Sequence, residues 1–320
     1  MGKHHGEMNY LENPKRESIR NWYPEAQSVV LAALFYKGPA GSIQSAQQKN
    51  QGRIASYALY KDYHDVMIGR MKKALEEIRE QAPQVDGKVF VDASPILERS
   101  YARLAGLGWI GKNTMLINKK HGSYFFLGGM AVNARLDPDP WDPLDHCGTC
   151  TRCLEACPTQ CLTPHTLDAS RCIAYLTIEK KTIPLEPDLA QKTGSWIFGC
   201  DICQQVCPFN RKQPQEKNRA DGWEPKIPEF LDLKTILNWT QTDYRRHFAG
   251  LPVLRAKWRP FLRNAIIAAA NTGNADFIRD LCPWMQGTDA ELSALAHWAV
   301  ARLETSVAKS EIAIDKGFKA

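Results

Sequence analysis

Cysteine spacing is the part of this sequence best able to do chemistry. Cys147, Cys150, Cys153 and Cys157 form a Cys-x2-Cys-x2-Cys-x3-Cys-Pro run, the spacing by which bacterial ferredoxins hold one [4Fe-4S] cluster and pass their last cysteine to a second. A later run, "GCDICQQVCPFN", repeats the pattern with Cys200, Cys203 and Cys207 but has Ile197 in its first slot. Cys172, in "RCIAYLTIE", is the available substitute. The count then closes on two four-thiolate sets: Cys147, Cys150, Cys153 and Cys207 for one cluster, and Cys157, Cys172, Cys200 and Cys203 for the other. Structural zinc is the rival, but zinc sites usually pair two Cys-x2-Cys knuckles. Cys161 and Cys282 are left over and are expected to be small buried side chains.

Such a module carries single electrons, so an acceptor must be sought in the elements around it. The chain has 320 residues, 44% hydrophobic and 24% charged, and nine of its ten cysteines lie between Cys147 and Cys207. The opening residues have no apolar signal-peptide core, and no apolar run approaches the roughly 20 residues needed to cross a bilayer. A cytoplasmic protein with no membrane partner is expected, in which cysteines bind metal rather than pair as disulfides. Residues 1–140 alternate strand and helix patterns and are expected to form an α/β domain. "SVVLAALFY" and "KVFVDAS" read as strands, and the helix after Lys61 should bury Val66, Met67, Met71, Leu75 and Ile78. A second helix should start with Ser94 as N-cap and Pro95 at its first position and stop at Gly106. Asp92 would then lie where a strand gives way to a helix, the end at which open α/β sheets bind ligands. Six glycines between Gly106 and Gly129 suit either close approach to a flat ligand or tight turns.

Residues 141–215 are expected to form a ferredoxin-like two-cluster domain, and 216–320 an α-helical, HEAT-like region. The net charge of +6 equals the excess from Arg211 to Arg263 alone, where 12 Lys and Arg face 6 Asp and Glu. That stretch suits either a phosphate-binding face or a solvated helical surface.

"VDASPILERSYARLAGLGWIGKNTMLI", "HGSYFFLGGM", "CGTCTRCLEACPT", "RCIAYLTIE" and "GCDICQQVCPFN" together resemble the epoxyqueuosine reductase family over nearly the whole chain. The resemblance implies reduction of epoxyqueuosine to queuosine at the wobble position of tRNA, with cob(I)alamin as nucleophile and reductant fed by two [4Fe-4S] clusters. It makes Asp92 the proton donor, its carboxyl kept protonated by a desolvated site, and residues 1–140 a cobalamin-binding domain. It also implies base-off cobalamin without a protein ligand: Asp62-x-His64 begins the Asp-x-His-x-x-Gly pattern, but Met67 stands where glycine is needed, so His64 is not assigned to cobalt. Corrin contacts are expected from Arg53, Ser56, Tyr57, Asp92, Lys112, Asn113, Ser123 and Asp201. Arg245, Arg246, Arg255, Lys257, Arg259 and Arg263 are expected to hold a tRNA with a GUN anticodon. The implied donor is a flavodoxin or ferredoxin system, and the protein is expected to act as a monomer. Relative to the family pattern, an opening helix and strand ahead of "HGEMNYLE" are absent. Rival readings are a cobalamin-dependent reductive dehalogenase and a two-cluster electron-transfer module.

Overall fold

Strand β6 (Phe125–Val132) organises the sheet on which the candidate proton donor sits. The computed structural model describes residues 4–39, 50–211 and 223–317, with side chains described to residue 306. The expected boundary at 215 lies outside those residues. The strands along the chain are β1 (Ser28–Phe35), β2 (Gln51–Ile54), β3 (Gly87–Val91), β4 (Trp109–Ile110), β5 (Leu116–Ile117), β6, β7 (Leu162–Thr163), β8 (Thr166–Leu167), β9 (Trp196–Phe198) and β10 (Phe230–Asp232). The helices are α1 (Ile19–Trp22), α2 (Tyr63–Gln81), α3 (Glu98–Leu104), α4 (Arg152–Glu155), α5 (Ile173–Ile178), α6 (Pro187–Lys192), α7 (Ile202–Gln205), α8 (Leu233–Leu237), α9 (Gln241–His247), α10 (Trp258–Asn271), α11 (Phe277–Met285) and α12 (Ala290–Gly317).

Two compact units result, each assembled from three separate segments. One contains Met1–Gly38, Tyr60–Ala169 and Asp201–Lys226; the other contains Pro39–Leu59, Ser170–Cys200 and Ile227–Ala320. They do not follow the three consecutive stretches expected from the sequence.

In the first unit, β6 pairs antiparallel with β1 on one side and β3 on the other. The alternation of strand and helix patterns thus belongs to an antiparallel arrangement around β6. Met71 and Leu75 of α2 pack with Met130 and Val132 of β6, as their helical spacing requires. Ile78 departs from the predicted stripe, being 36% exposed: a 19-residue helix is about 28 Å long, whereas the five-residue β3 it packs on spans about 17 Å. Helix α3 begins at Glu98 with Leu97 before it and no side-chain cap, so Ser94 and Pro95 do not start it. Residues 92–97 are used in a turn, and Asp92 takes φ +32°. Gly106, at φ +74°, ends the helix as expected.

In the second unit, β2 lies between β10, antiparallel, and β9, parallel. Helix α10 buries Phe261, Leu262, Ala265, Ile266, Ile267 and Ala269, and a helix buried on all sides is a core element. It packs against α12 and α11. Cys282, on α11, is exposed rather than buried.

Candidate redox and proton-transfer site

Cys147, Cys150, Cys153 and Cys207 line one open cavity of about 360 Å³ in the first unit. Burial raises the pKa of Cys153, and Cys147 and Cys150 raise it further. Cys207 is raised by burial and then by the same neighbouring thiols. Crowded thiols in a low-dielectric wall can all ionise only beside compensating positive charge, which bound iron supplies. Among the described residues no three His, Cys, Asp or Glu side chains converge on a point suited to one metal ion. Four thiols around one open pocket are the donor set that a [4Fe-4S] cluster takes. Trp109 closes the wall, packing with Ile117 and Cys207 and meeting Phe209 edge-on at 4.8 Å.

Several of the expected corrin contacts hydrogen-bond to these cysteine loops. Lys112 donates from Nζ to the carbonyls of Gly148 at 2.6 Å and Cys150 at 3.1 Å. The buried Asn113 donates from Nδ2 to the Cys203 carbonyl at 3.3 Å, while its Oδ1 accepts from Met115 N–H. Ser123 Oγ accepts from Gln204 Nε2 and Asn210 Nδ2, both at 3.0 Å. Gly122 lies so close to Asn210 that a Cβ there would clash with its side chain. This glycine segment therefore closes on its own chain. Asp201, only 1% exposed, precedes α7 and accepts through its carbonyl from the N–H groups of Gln204 and Gln205. These side chains set the cysteine geometry.

Cys172 and Cys200 belong to the second unit, at the start of α5 and just after β9. Gly199 N–H donates to Thr177 Oγ1 at 2.9 Å, and the buried Asn264 donates from Nδ2 to the carbonyls of Thr177 and Ile197. Arg263 corrects an expectation: it is fully buried and donates to the carbonyls of Leu176, Lys180 and Thr182. It satisfies the C-terminal end of α5 and cannot face a phosphate. Arg53 is also internal, paired with Glu229 at 2.7 Å and stacked over Trp196 at 4.3 Å. Ser56 is buried and Tyr57 half-buried in the same unit.

The proton-handling groups of the first unit meet at the end of β3. Tyr63 OH donates to Asp92 Oδ2 at 2.8 Å. His64 places Nδ1 2.7 Å from Asp62 Oδ1 and Nε2 3.4 Å from Asp92 Oδ2. Burial alone would lower the His64 pKa, but hydrogen bonds to Asp62 and then Asp92 outweigh it and raise it to about 9. The Asp92 side chain is 55% exposed, and the raised His64 lies beside it. At neutral pH the proton therefore rests on His64. Glu98, pushed up to about 7 by burial and then by Asp92, adds a second acid, and its Oε1 finds no hydrogen-bond partner. The cobalt-ligand pattern and the corrin-contact reading of this segment give no sign of the His64 pairing with two carboxylates. The Asp62-x-His64 spacing on one helical turn was the available signal.

Of the six expected phosphate contacts, Arg245, Arg246 and Lys257 are exposed. Arg255 is exposed but pairs with Glu179 at 2.5 Å, and Arg259 is clamped by Asp289 and Glu291. Arg246 approaches Asp243 at 3.6 Å. No described helix is long and apolar enough to cross a membrane.

Two family models match: "Epoxyqueuosine reductase QueG, DUF1730" over residues 16–93 and "4Fe-4S double cluster binding domain" over 146–210. An epoxyqueuosine reductase of Leadbetterella byssophila is 44% identical over 268 residues, covering 82% of this chain and 84% of that protein. One from Synechocystis is 39% identical over 266 residues, with 82% and 90% covered. A crystal structure of epoxyqueuosine reductase with an epoxyqueuosine-modified tRNA-Tyr stem loop superposes with a TM-score of 0.79 at 29% identity, covering 93% of this chain and 80% of that one. The Bacillus subtilis enzyme, with an aspartate catalytic loop swung out of its active site, superposes with a TM-score of 0.82 at 29% identity over 93% and 80% of the two chains. The chain belongs to the epoxyqueuosine reductase family of oxidoreductases.

Proposed function

We propose that this protein reduces epoxyqueuosine to queuosine in tRNA, with Asp92 delivering the proton to the opening epoxide and His64 supplying it. The approach of Asp92 to both Tyr63 OH and His64 Nε2 carries the reading. Loss of the epoxide oxygen as water takes two electrons and two protons. Cobalamin, when bound, supplies a cobalt centre reducing enough to open a C–O bond, and the two clusters supply its electrons. The accessible Asp92 suits a cofactor and substrate presented to it. As the C–O bond breaks, the proton held on His64 Nε2 moves to the Asp92 carboxylate and Asp92 hands it on to the oxygen, Asp62 holds the imidazole in line, and solvent water supplies the second proton. Tyr63, stacked on Phe126 at 4.1 Å, fixes the carboxylate by its own hydrogen bond. Asp92 sits at a positive φ, a strained backbone often found where a side chain must be aimed. The aspartate loop of the Bacillus subtilis relative and the tRNA stem loop bound to another support the same assignment. The cations left for RNA phosphates are Arg245, Arg246 and Lys257.

The test is anaerobic reconstitution with iron, sulfide and cobalamin, followed by epoxyqueuosine-containing tRNA and nucleoside mass spectrometry. Loss of one oxygen from the modified base is expected. Unchanged base mass with both clusters and cobalamin loaded would overturn the reading.

A further inference from the structure

Cys161 lies beside a cluster ligand through the local geometry of "CPTQC". Gln160 N–H donates to the Cys157 carbonyl at 3.1 Å, closing a turn around Pro158 and Thr159. Gln160 then takes φ +50°, which folds the chain back. The result is that Cys161 Sγ comes within 3.5 Å of Cys157 Sγ, with Thr159 Oγ1 also at 3.5 Å from the same sulfur. Thr159 is fully buried and Cys161 is 6% exposed, so water does not compete for these contacts. Asp168 N–H donates to the Cys161 carbonyl at 2.9 Å and fixes the residue.

We propose that Cys161 is a positioning residue whose S–H donates a hydrogen bond to the Cys157 thiolate and so raises the reduction potential of the cluster that Cys157 ligates. The inference rests on the two-cluster reading above and extends it to a residue outside both four-thiolate sets. A ligand thiolate takes on negative charge as its cluster is reduced, and a fixed donor to that sulfur stabilises the reduced state more than the oxidised one. Cysteine is a weak donor, but here it is buried and has been brought to the sulfur by the fold.

The test is an EPR-monitored redox titration of the reconstituted full chain, with iron and sulfide measured on each sample. In Cys161→Ala, iron content should stay at the wild-type value while one of the two midpoint potentials falls and the other is unchanged. Cys161→Ser, which keeps a donor, should restore most of that shift and covers the case in which the alanine variant folds poorly. Potentials identical in wild type, alanine and serine forms overturn the proposal, and so does a loss of iron from Cys161→Ala, which would make Cys161 a ligand. A wild-type chain that takes up no clusters would instead overturn the two-cluster reading itself.

Discussion

Asp62, His64 and Asp92 form a line of two carboxylates around one imidazole, and its consequence is a pH limit. The His64 pKa is raised from 6.5 to about 9. A group raised on folding stabilises the protein fully below its unfolded pKa and loses that contribution as pH rises through the folded value. The proton supply should follow the same course, with kcat falling through pH 9 in the native enzyme. Asp62→Asn should move that limb toward 6.5, as a kcat–pH profile will show, whereas a purely structural Asp62 would lower kcat at every pH alike. Asp92→Asn should cut turnover by orders of magnitude while cluster and cobalamin contents stay unchanged, measured by single-turnover kinetics beside metal analysis. The gathering of Cys147, Cys150, Cys153 and Cys207 at one pocket was legible because their spacing along the chain already suggests a shared site. The His64 relay was not, because it depends on a turn that carries Asp92 back toward α2, and Cys161 gained its role through one left-handed residue that no spacing rule marks.

At the scale of elements, α10 shows why basic residues cannot be assigned to a surface by counting them. Its apolar residues occupy every face, so Arg263 is drawn inside and bonds to the carbonyls that end α5. Arg263→Ala should therefore lower stability by about 3 kcal/mol or more, since a buried cation is replaced by orphaned carbonyls. Chemical denaturation measures this, and tRNA affinity corrected for the folded fraction should not change. Arg245→Ala and Arg246→Ala should do the reverse, leaving stability within about 0.5 kcal/mol while reducing the slope of log affinity against log salt by about 1 for each phosphate no longer neutralised. The helical periods of α2 and the strand patterns of β1 and β3 were readable because burial on one face forces them. The start of α3 was not: Ser94 and Pro95 have cap chemistry, but the turn that aims Asp92 takes precedence over them.

For the whole molecule, the two units explain how a ferredoxin-like cysteine run can serve a larger enzyme. Cys147, Cys150, Cys153 and Cys207 are gathered within one unit although 60 residues separate the first from the last. Replacing Cys207 with Ala should halve the iron content of the reconstituted protein, from eight atoms to four, while the other cluster persists; loss of all iron would mean that the two sites assemble only together. The three expected domains were drawn from changes in composition along the chain. Such changes cannot reveal a chain that returns to each unit twice.

That return has a consequence for biosynthesis. A ribosome releases the polypeptide from its N-terminal side onward, and a unit that folds as it emerges must have all its segments outside the exit tunnel. The cysteine pocket of the first unit needs Cys207, which lies in Asp201–Lys226. The first three thiols of that pocket are released well before Cys207, so the four-cysteine set is complete only when the late loop has emerged. Fragments ending near residue 140 keep the packed sheet and helices of the first unit but lack every cysteine of the pocket and should take up no iron.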